Sequence, residues 1–248
     1  MKVLLTSTSF QDTPGAHQEL LEHQGFHIDR IRGPVKEADL LPIIADYDAV
    51  ICGDDEYTNA VLKKGVEGKL KYLSKYGVGL DKIDLEAAEK YNIPVTNCPG
   101  VNQVSVAEHV LALLFTFEKN VHLQYNSTGE GKWKRWVGHE LFGKTIGIVG
   151  LGAIGKELAK RTHALGLNTL AYDLNPNSAF LDEYSSVRSV NSLDEIYTKA
   201  DYISLHIPLT TENERIIDRK VIFEKLEKSP ILINTSRGKL VDSQAVIE

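Results

Sequence analysis

Three glycines and one carboxylate carry the plainest chemistry in this chain. Gly150, Gly152 and Gly155 follow the apolar run Thr145–Val149 and open a segment with Ile154, Leu158 and Leu165 at helical spacing. A strand that turns through such glycines into a helix can hold a pyrophosphate. The first glycine permits the tight turn, the second lets the backbone approach the phosphates, and the third lets the helix pack on the sheet. The unpaired N–H groups of the helix's first turn, which Ala153 and Ile154 open, then face the anion. Asp173 closes the next apolar run, Asn168–Tyr172, near the ~20-residue offset at which an acid accepts from a ribose 2′-OH. A 2′-phosphate would be repelled there, and Asn175, Pro176 and Asn177 offer it no cation, so the pattern predicts NAD rather than NADP.

Two further groups could recognise an acid. Gly77-Val78-Gly79 follows the strand-like run Tyr72–Lys75, at the carboxyl end of what reads as a parallel sheet. Exposed N–H groups in such a turn hold an anion, although an ordinary glycine turn reads the same way. Arg237 follows the run Ile231–Asn234, and its fixed fork of donors suits bidentate recognition of a carboxylate; an arginine that merely caps a turn is the alternative. His109, inside an apolar helix, reads as an interface histidine rather than a proton donor.

The elements that must position these residues alternate along the chain. Strand-like runs at 3–5, 26–31, Ala49–Cys52, Tyr72–Lys75 and 95–97 alternate with helical patterns near 16–24, 58–64 and 84–90, the rhythm of a parallel sheet. Asn97-Cys-Pro-Gly100 then punctuates the chain before an apolar helix over 103–117. Val106, Val110, Leu114 and Phe117 mark one face of that helix, and Leu111 and Leu113 widen it, so burial is expected, within the chain or against a partner copy as a homodimer. A polar stretch with tryptophan covers 120–140, and the second series has strands at 145–149, 168–172, 202–205 and 231–234. Asp242 reads as the cap of a further helix, and the pattern looks unfinished at Glu248.

The 248 residues suffice for two domains. A net charge of −6 with interspersed signs leaves no basic stripe for nucleic acid, and the Lys132-Trp-Lys-Arg135 cluster reads as a solvated loop. Cys52 and Cys98 lie far apart without metal-like spacing, so neither a disulfide nor a metal site is expected. The longest apolar run, 110–117, is well short of the ~18 residues of a membrane span, and no signal-peptide pattern precedes the first strand, so a cytoplasmic protein is expected.

Several motifs occur together in one order: Tyr76-Gly-Val-Gly-Leu-Asp81, Asn102 with Val106-Ala-Glu-His109, Gly150 to Gly155, His206-Ile-Pro-Leu-Thr210 and Asn234-Thr-Ser-Arg-Gly238. In these the chain resembles the NAD-dependent D-2-hydroxyacid dehydrogenases, especially those similar to phosphoglycerate dehydrogenase. The resemblance implies an α/β fold of two doubly wound parallel-sheet domains. Residues 1–98 would form a flavodoxin-like substrate-binding domain, and 99–248 a Rossmann NAD-binding domain, incomplete at its C-terminus. The implied activity is hydride transfer between NAD(H) and a small D-2-hydroxy or 2-keto acid. The acid's side group stays open among phosphoglycerate, glycerate, glyoxylate and lactate-like acids.

The resemblance also implies roles. Backbone donors at Gly77, Val78 and Gly79 would bind the substrate carboxylate, and Arg237 would anchor and activate the keto acid. Asn102, Val106 and Thr235 would line the nicotinamide side, and His206 and Pro208 would skirt the cofactor through their backbone. Ala153 stands where many relatives carry arginine over the pyrophosphate. The family's catalytic Glu and His lie well beyond Arg237, and only residues 238–248 follow here, so a fragment of a longer enzyme is expected, binding cofactor with little turnover. An NAD-sensing binding protein, like the corepressors that share this fold, is the alternative.

Overall fold

The computed structural model describes residues 1–248 and divides them into two compact units, Met1–Gly100 and Val101–Glu248. The first unit holds β1 (Lys2–Leu5), β2 (His27–Arg30), β3 (Ala49–Cys52), β4 (Tyr72–Lys75) and β5 (Val95–Thr96). They form one parallel sheet in the order β2-β1-β3-β4-β5, the flavodoxin-like arrangement. The central strands are buried, as in a sheet covered on both faces, while β2 alternates polar residues at an edge. Leu4, Val50, Leu62 and Leu73 anchor its core.

The second unit holds β6 (Thr145–Val149), β7 (Asn168–Tyr172), β8 (Val187–Ser189), β9 (Tyr202–Leu205) and β10 (Ile231–Asn234). All pair in parallel, in the order β10-β9-β6-β7-β8, the strand order of a Rossmann half. Strand β8 is one more than the sequence pattern predicts; it is a three-residue edge whose Arg188 and Ser189 face solvent. Alternation along β6 sends Ile146 and Ile148 into one core cluster and Val149 into another. Gly147 is glycine because a Cβ there would strike the Ile196 side chain.

The helix Gln103–Glu118 packs on the helix Ala153–Ala164. Its buried stripe is Ala107, Val110, Leu114 and Glu118. Phe117, expected on that face, is 59% exposed, because the stripe continues one position later, to Glu118. The Glu118 carboxylate accepts from the Tyr202 hydroxyl at 2.9 Å and lies 3.0 Å from His139 Nδ1, which compensates its burial. Residues 121–129 are a helix, within the stretch that the sequence marks only as polar. Asp242 caps the helix Ser243–Ile247, accepting from the N–H groups of Gln244 and Ala245. No helix is long and apolar enough to cross a membrane, and no group of three or more His, Cys, Asp or Glu residues could hold a metal ion.

Candidate functional site

In the second unit the glycine turn leaves the carboxyl end of β6, the middle strand of its sheet. Gly150 has φ +100°, a conformation that side chains rarely adopt, and a Cβ there would lie 2.7 Å from the His206 carbonyl oxygen. Gly155 allows the helix to sit against the turn, since a Cβ would collide with the Gly150 carbonyl. Gly152 differs from both: a Cβ there would meet no atom of the chain within 4 Å. Packing within the protein therefore does not require this glycine, whereas close approach of a bound group does.

Gly152 is also the N-cap of the helix Ala153–Ala164 and supplies no side chain to its first N–H groups. Those orphan donors and the helix dipole favour an anion at that end. Ala153 is exposed and Ile154 half-buried in this first turn. Asp173, just past β7, ties the turn from the other side. One carboxylate oxygen accepts from Leu151 N at 2.7 Å and the other from Asn175 N at 2.8 Å. Tying the turn leaves room for the predicted contact with a ribose, because a carboxylate has about four acceptor positions and two are used.

The neighbouring strands deliver the other residues. His206 follows β9, and its Nε2 lies 2.8 Å from Ser204 Oγ while Nδ1 is buried without a partner. Burial lowers its pKa from 6.5 to about 4, so the imidazole is neutral at ordinary pH. The Pro208 carbonyl accepts from Asn213 Nδ2 at 2.7 Å, which pins the loop after β9. Thr235, after β10, has a buried hydroxyl without a partner. Unpaired buried polar atoms at adjacent strand ends are the kind of groups that a polar ligand satisfies. Arg237 is half-buried; its Nη1 donates to the Ser236 carbonyl at 3.0 Å, and its own carbonyl accepts from Asn234 Nδ2 at 2.8 Å. Asn102 caps the helix Gln103–Glu118 without a side-chain bond, and Val106 is half-buried one turn on.

In the first unit, Gly77-Val78-Gly79 follows β4 at the carboxyl end of its sheet. Gly77 has φ +150°. The Gly77 carbonyl accepts from Cys98 N at 2.9 Å and the Val78 carbonyl from Asn97 Nδ2 at 2.8 Å. Neither the Val78 nor the Gly79 N–H takes part in the backbone–backbone hydrogen bonds of this turn. Beside the turn the structure adds a pair that sequence reading missed: Lys75 is buried, with its ammonium 2.5 Å from both the Gly53 carbonyl and Asp54 Oδ1. The partners lie 21 and 22 residues apart, so no local pattern announces them.

The arrangement fits a dinucleotide in the second unit. The open space over Gly152, the uncapped helix start and the unpaired groups on His206 and Thr235 lie on the carboxyl side of one sheet, where ligands of open α/β folds bind. Comparison with known proteins agrees. Residues 111–248 match the model of the D-isomer specific 2-hydroxyacid dehydrogenase NAD-binding domain. The whole chain is 36% identical to D-3-phosphoglycerate dehydrogenase of Methanocaldococcus jannaschii, of whose length it covers 46%. A match of 35% identity links 86% of the chain to 68% of the hydroxypyruvate reductase of Thermotoga maritima. The apo-structure of Escherichia coli D-lactate dehydrogenase is similar over the whole chain and 77% of its own, with a TM-score of 0.84 and 28% identity. The chain therefore spans less than half of the phosphoglycerate dehydrogenase it matches. With that coverage and these motifs, the chain belongs to the D-isomer specific 2-hydroxyacid dehydrogenase family, and its residues 111–248 are that family's NAD-binding domain.

Proposed function

We propose that the protein serves hydride transfer between NAD(H) and a small D-2-hydroxy or 2-keto acid. The observation that carries this reading is Gly152, a glycine with open space above it at the uncapped start of a helix. Bound NAD(H) would supply the hydride donor for a keto acid, or the acceptor for a hydroxy acid. The chain's own residues hold it: backbone at Gly150, Gly152, Ala153, Ile154 and Gly155 for the pyrophosphate, Asp173 for the ribose, and the loops of His206, Pro208 and Thr235 with Asn102 and Val106 for the remainder. In residues 1–98, read as the substrate-binding domain, the N–H groups of Val78 and Gly79 receive a carboxylate. Arg237 binds the acid and polarises the carbonyl that accepts hydride. Titration of the 248-residue chain with NADH and NADPH tests the reading. NADH is expected to bind at least about tenfold more tightly, since a 2′-phosphate would face Asp173; absence of NADH binding overturns it.

The proposal includes a homodimer and a cytoplasmic location. Phe117, Tyr125, Trp133 and Val137 are exposed large apolar side chains on consecutive segments of the second unit, with Trp133 90% exposed, and such residues suit burial against a partner copy. Lys132-Trp-Lys-Arg135, read as a solvated loop, lies within this surface. Sedimentation of the protein and of Phe117→Asp checks this: a dimer that the substitution dissociates is expected. Both cysteines are unpaired, which suits a reducing compartment.

A further inference from the structure

We propose that the acid received at the glycine turn of the first unit carries an uncharged side group, with no phosphate. This rests on the dehydrogenase reading above and narrows its substrate.

A carboxylate held by the N–H groups of Val78 and Gly79 would bring its side group among the loops at the carboxyl end of the first sheet. A phosphate there needs cations with donors to spare. Lys75 is the cation built into the turn. Its stem runs under Gly77, where a Cβ would lie 3.2 Å from Lys75 Cε. Its ammonium is committed to Asp54 and the Gly53 carbonyl, and its side chain is 5% exposed, against 79% for Asp54. The face that this pair turns outward is the carboxylate, which repels a second anion. The other cations of these loops are compensated too. Arg32 makes two bonds of 2.7 Å to Asp12, Lys36 lies 2.9 Å from Glu56, and Lys82 lies 3.9 Å from the same carboxylate.

What the end of the sheet does offer is aromatic surface. Tyr76, the residue before Gly77, packs edge-on against Phe10 with centroids 5.1 Å apart and stacks on His17 at 6.0 Å. Phe10 and His17 meet at 4.6 Å. The Phe10 and Tyr76 rings welcome carbon-bearing groups, and the His17 imidazole between them is engaged through Nε2, 3.3 Å from the Phe10 carbonyl. Neutralised cations, an outward carboxylate and an aromatic cluster together select against a phosphorylated acid and for one such as pyruvate or hydroxypyruvate.

The test is calorimetric titration of the 248-residue chain, in saturating NADH, with hydroxypyruvate, pyruvate and 3-phosphohydroxypyruvate. The uncharged-side-group acids are expected to bind at least about tenfold more tightly than the phosphorylated one. Asp54→Ser releases the Lys75 ammonium, and should shift the ratio toward the phosphorylated acid by about tenfold. Phosphorylated acid binding as tightly as hydroxypyruvate in the wild-type chain overturns this inference while leaving the dehydrogenase reading intact. Failure of NADH, or of every acid, to bind overturns that reading and this inference with it. Should Asp54→Ser not fold, the wild-type ranking alone decides.

Discussion

Two parallel five-stranded sheets of similar design sit in one chain, and the first strand of each ends differently. In the first, β1 leads through Thr6 and Ser7 into the short helix Thr8–Asp12, and the Ser7 hydroxyl accepts from Phe10 N. In the second, β6 leads through Gly150 and Gly152 into the longer helix Ala153–Ala164, whose start has no side-chain cap. The carboxylates beside these turns differ in the same sense. Asp55 is fully buried and accepts from the Thr6 hydroxyl at 2.5 Å, Val35 N at 2.7 Å and Gly53 N at 3.0 Å. Asp173 is half-exposed and makes two bonds, with acceptor positions left over. One copy of the architecture closes its helix start with its own side chains, and the other leaves the equivalent donors for a ligand. Strand order is shared enough to give both units a ligand-binding edge, so the residues at the turns decide what each can hold.

Substitutions can break this contrast. The largest effect is expected for Gly152→Val, whose backbone φ of −73° suits any residue. Its side chain would fill the open space and reduce NADH affinity at least about 100-fold, near 3 kcal/mol, with little change in melting temperature. A matched fall in stability would show that the glycine serves packing instead. Next, Asp55→Ala strands three buried donors and should destabilise the protein by about 3 kcal/mol in urea unfolding, with NADH affinity unchanged. Asp173→Ala should lower NADH affinity about tenfold and narrow discrimination against NADPH, read by calorimetry; unchanged binding of both cofactors would remove the sugar-binding role. The smallest effect belongs to Ser7→Ala, about 1 kcal/mol of stability from a lost cap and no effect on cofactor. A cofactor effect there would erase the distinction between the two turns.

Much of this was legible in sequence because it is local. Strands β3, β4, β6, β7, β9 and β10 are compact apolar runs, and their predicted bounds match the structure. The fingerprint glycines are identified by their place between a strand and a helix. Three things were hidden, for different reasons. Strand β8 is a short edge reading Val-Arg-Ser, with no apolar pattern to mark it. The helix Val121–Gly129 begins at Asn120 in a left-handed conformation and carries no side-chain cap, so it lacks the usual signal of a helix start. The Asp55 cluster and the Lys75–Asp54 pair join residues about 20 to 50 positions apart, where only the folded sheet brings them together. Phe117 shows the remaining difficulty: an apolar periodicity states that a face exists, and the neighbouring helix decides how far round it is covered.

The neutral imidazole of His206 has a consequence for acid tolerance. Above its ordinary value of 6.5 the ring is uncharged whether the chain is folded or not, and pH has no purchase on it. Between 6.5 and about 4 the unfolded chain takes up a proton that the buried ring declines, so stability drains away as the solution is acidified. Over that interval the loss approaches about 3 kcal/mol, and His206→Gln should flatten the decline in a pH series of unfolding curves. The residue that borders the glycine turn would thus also set the lower pH at which the second unit holds together.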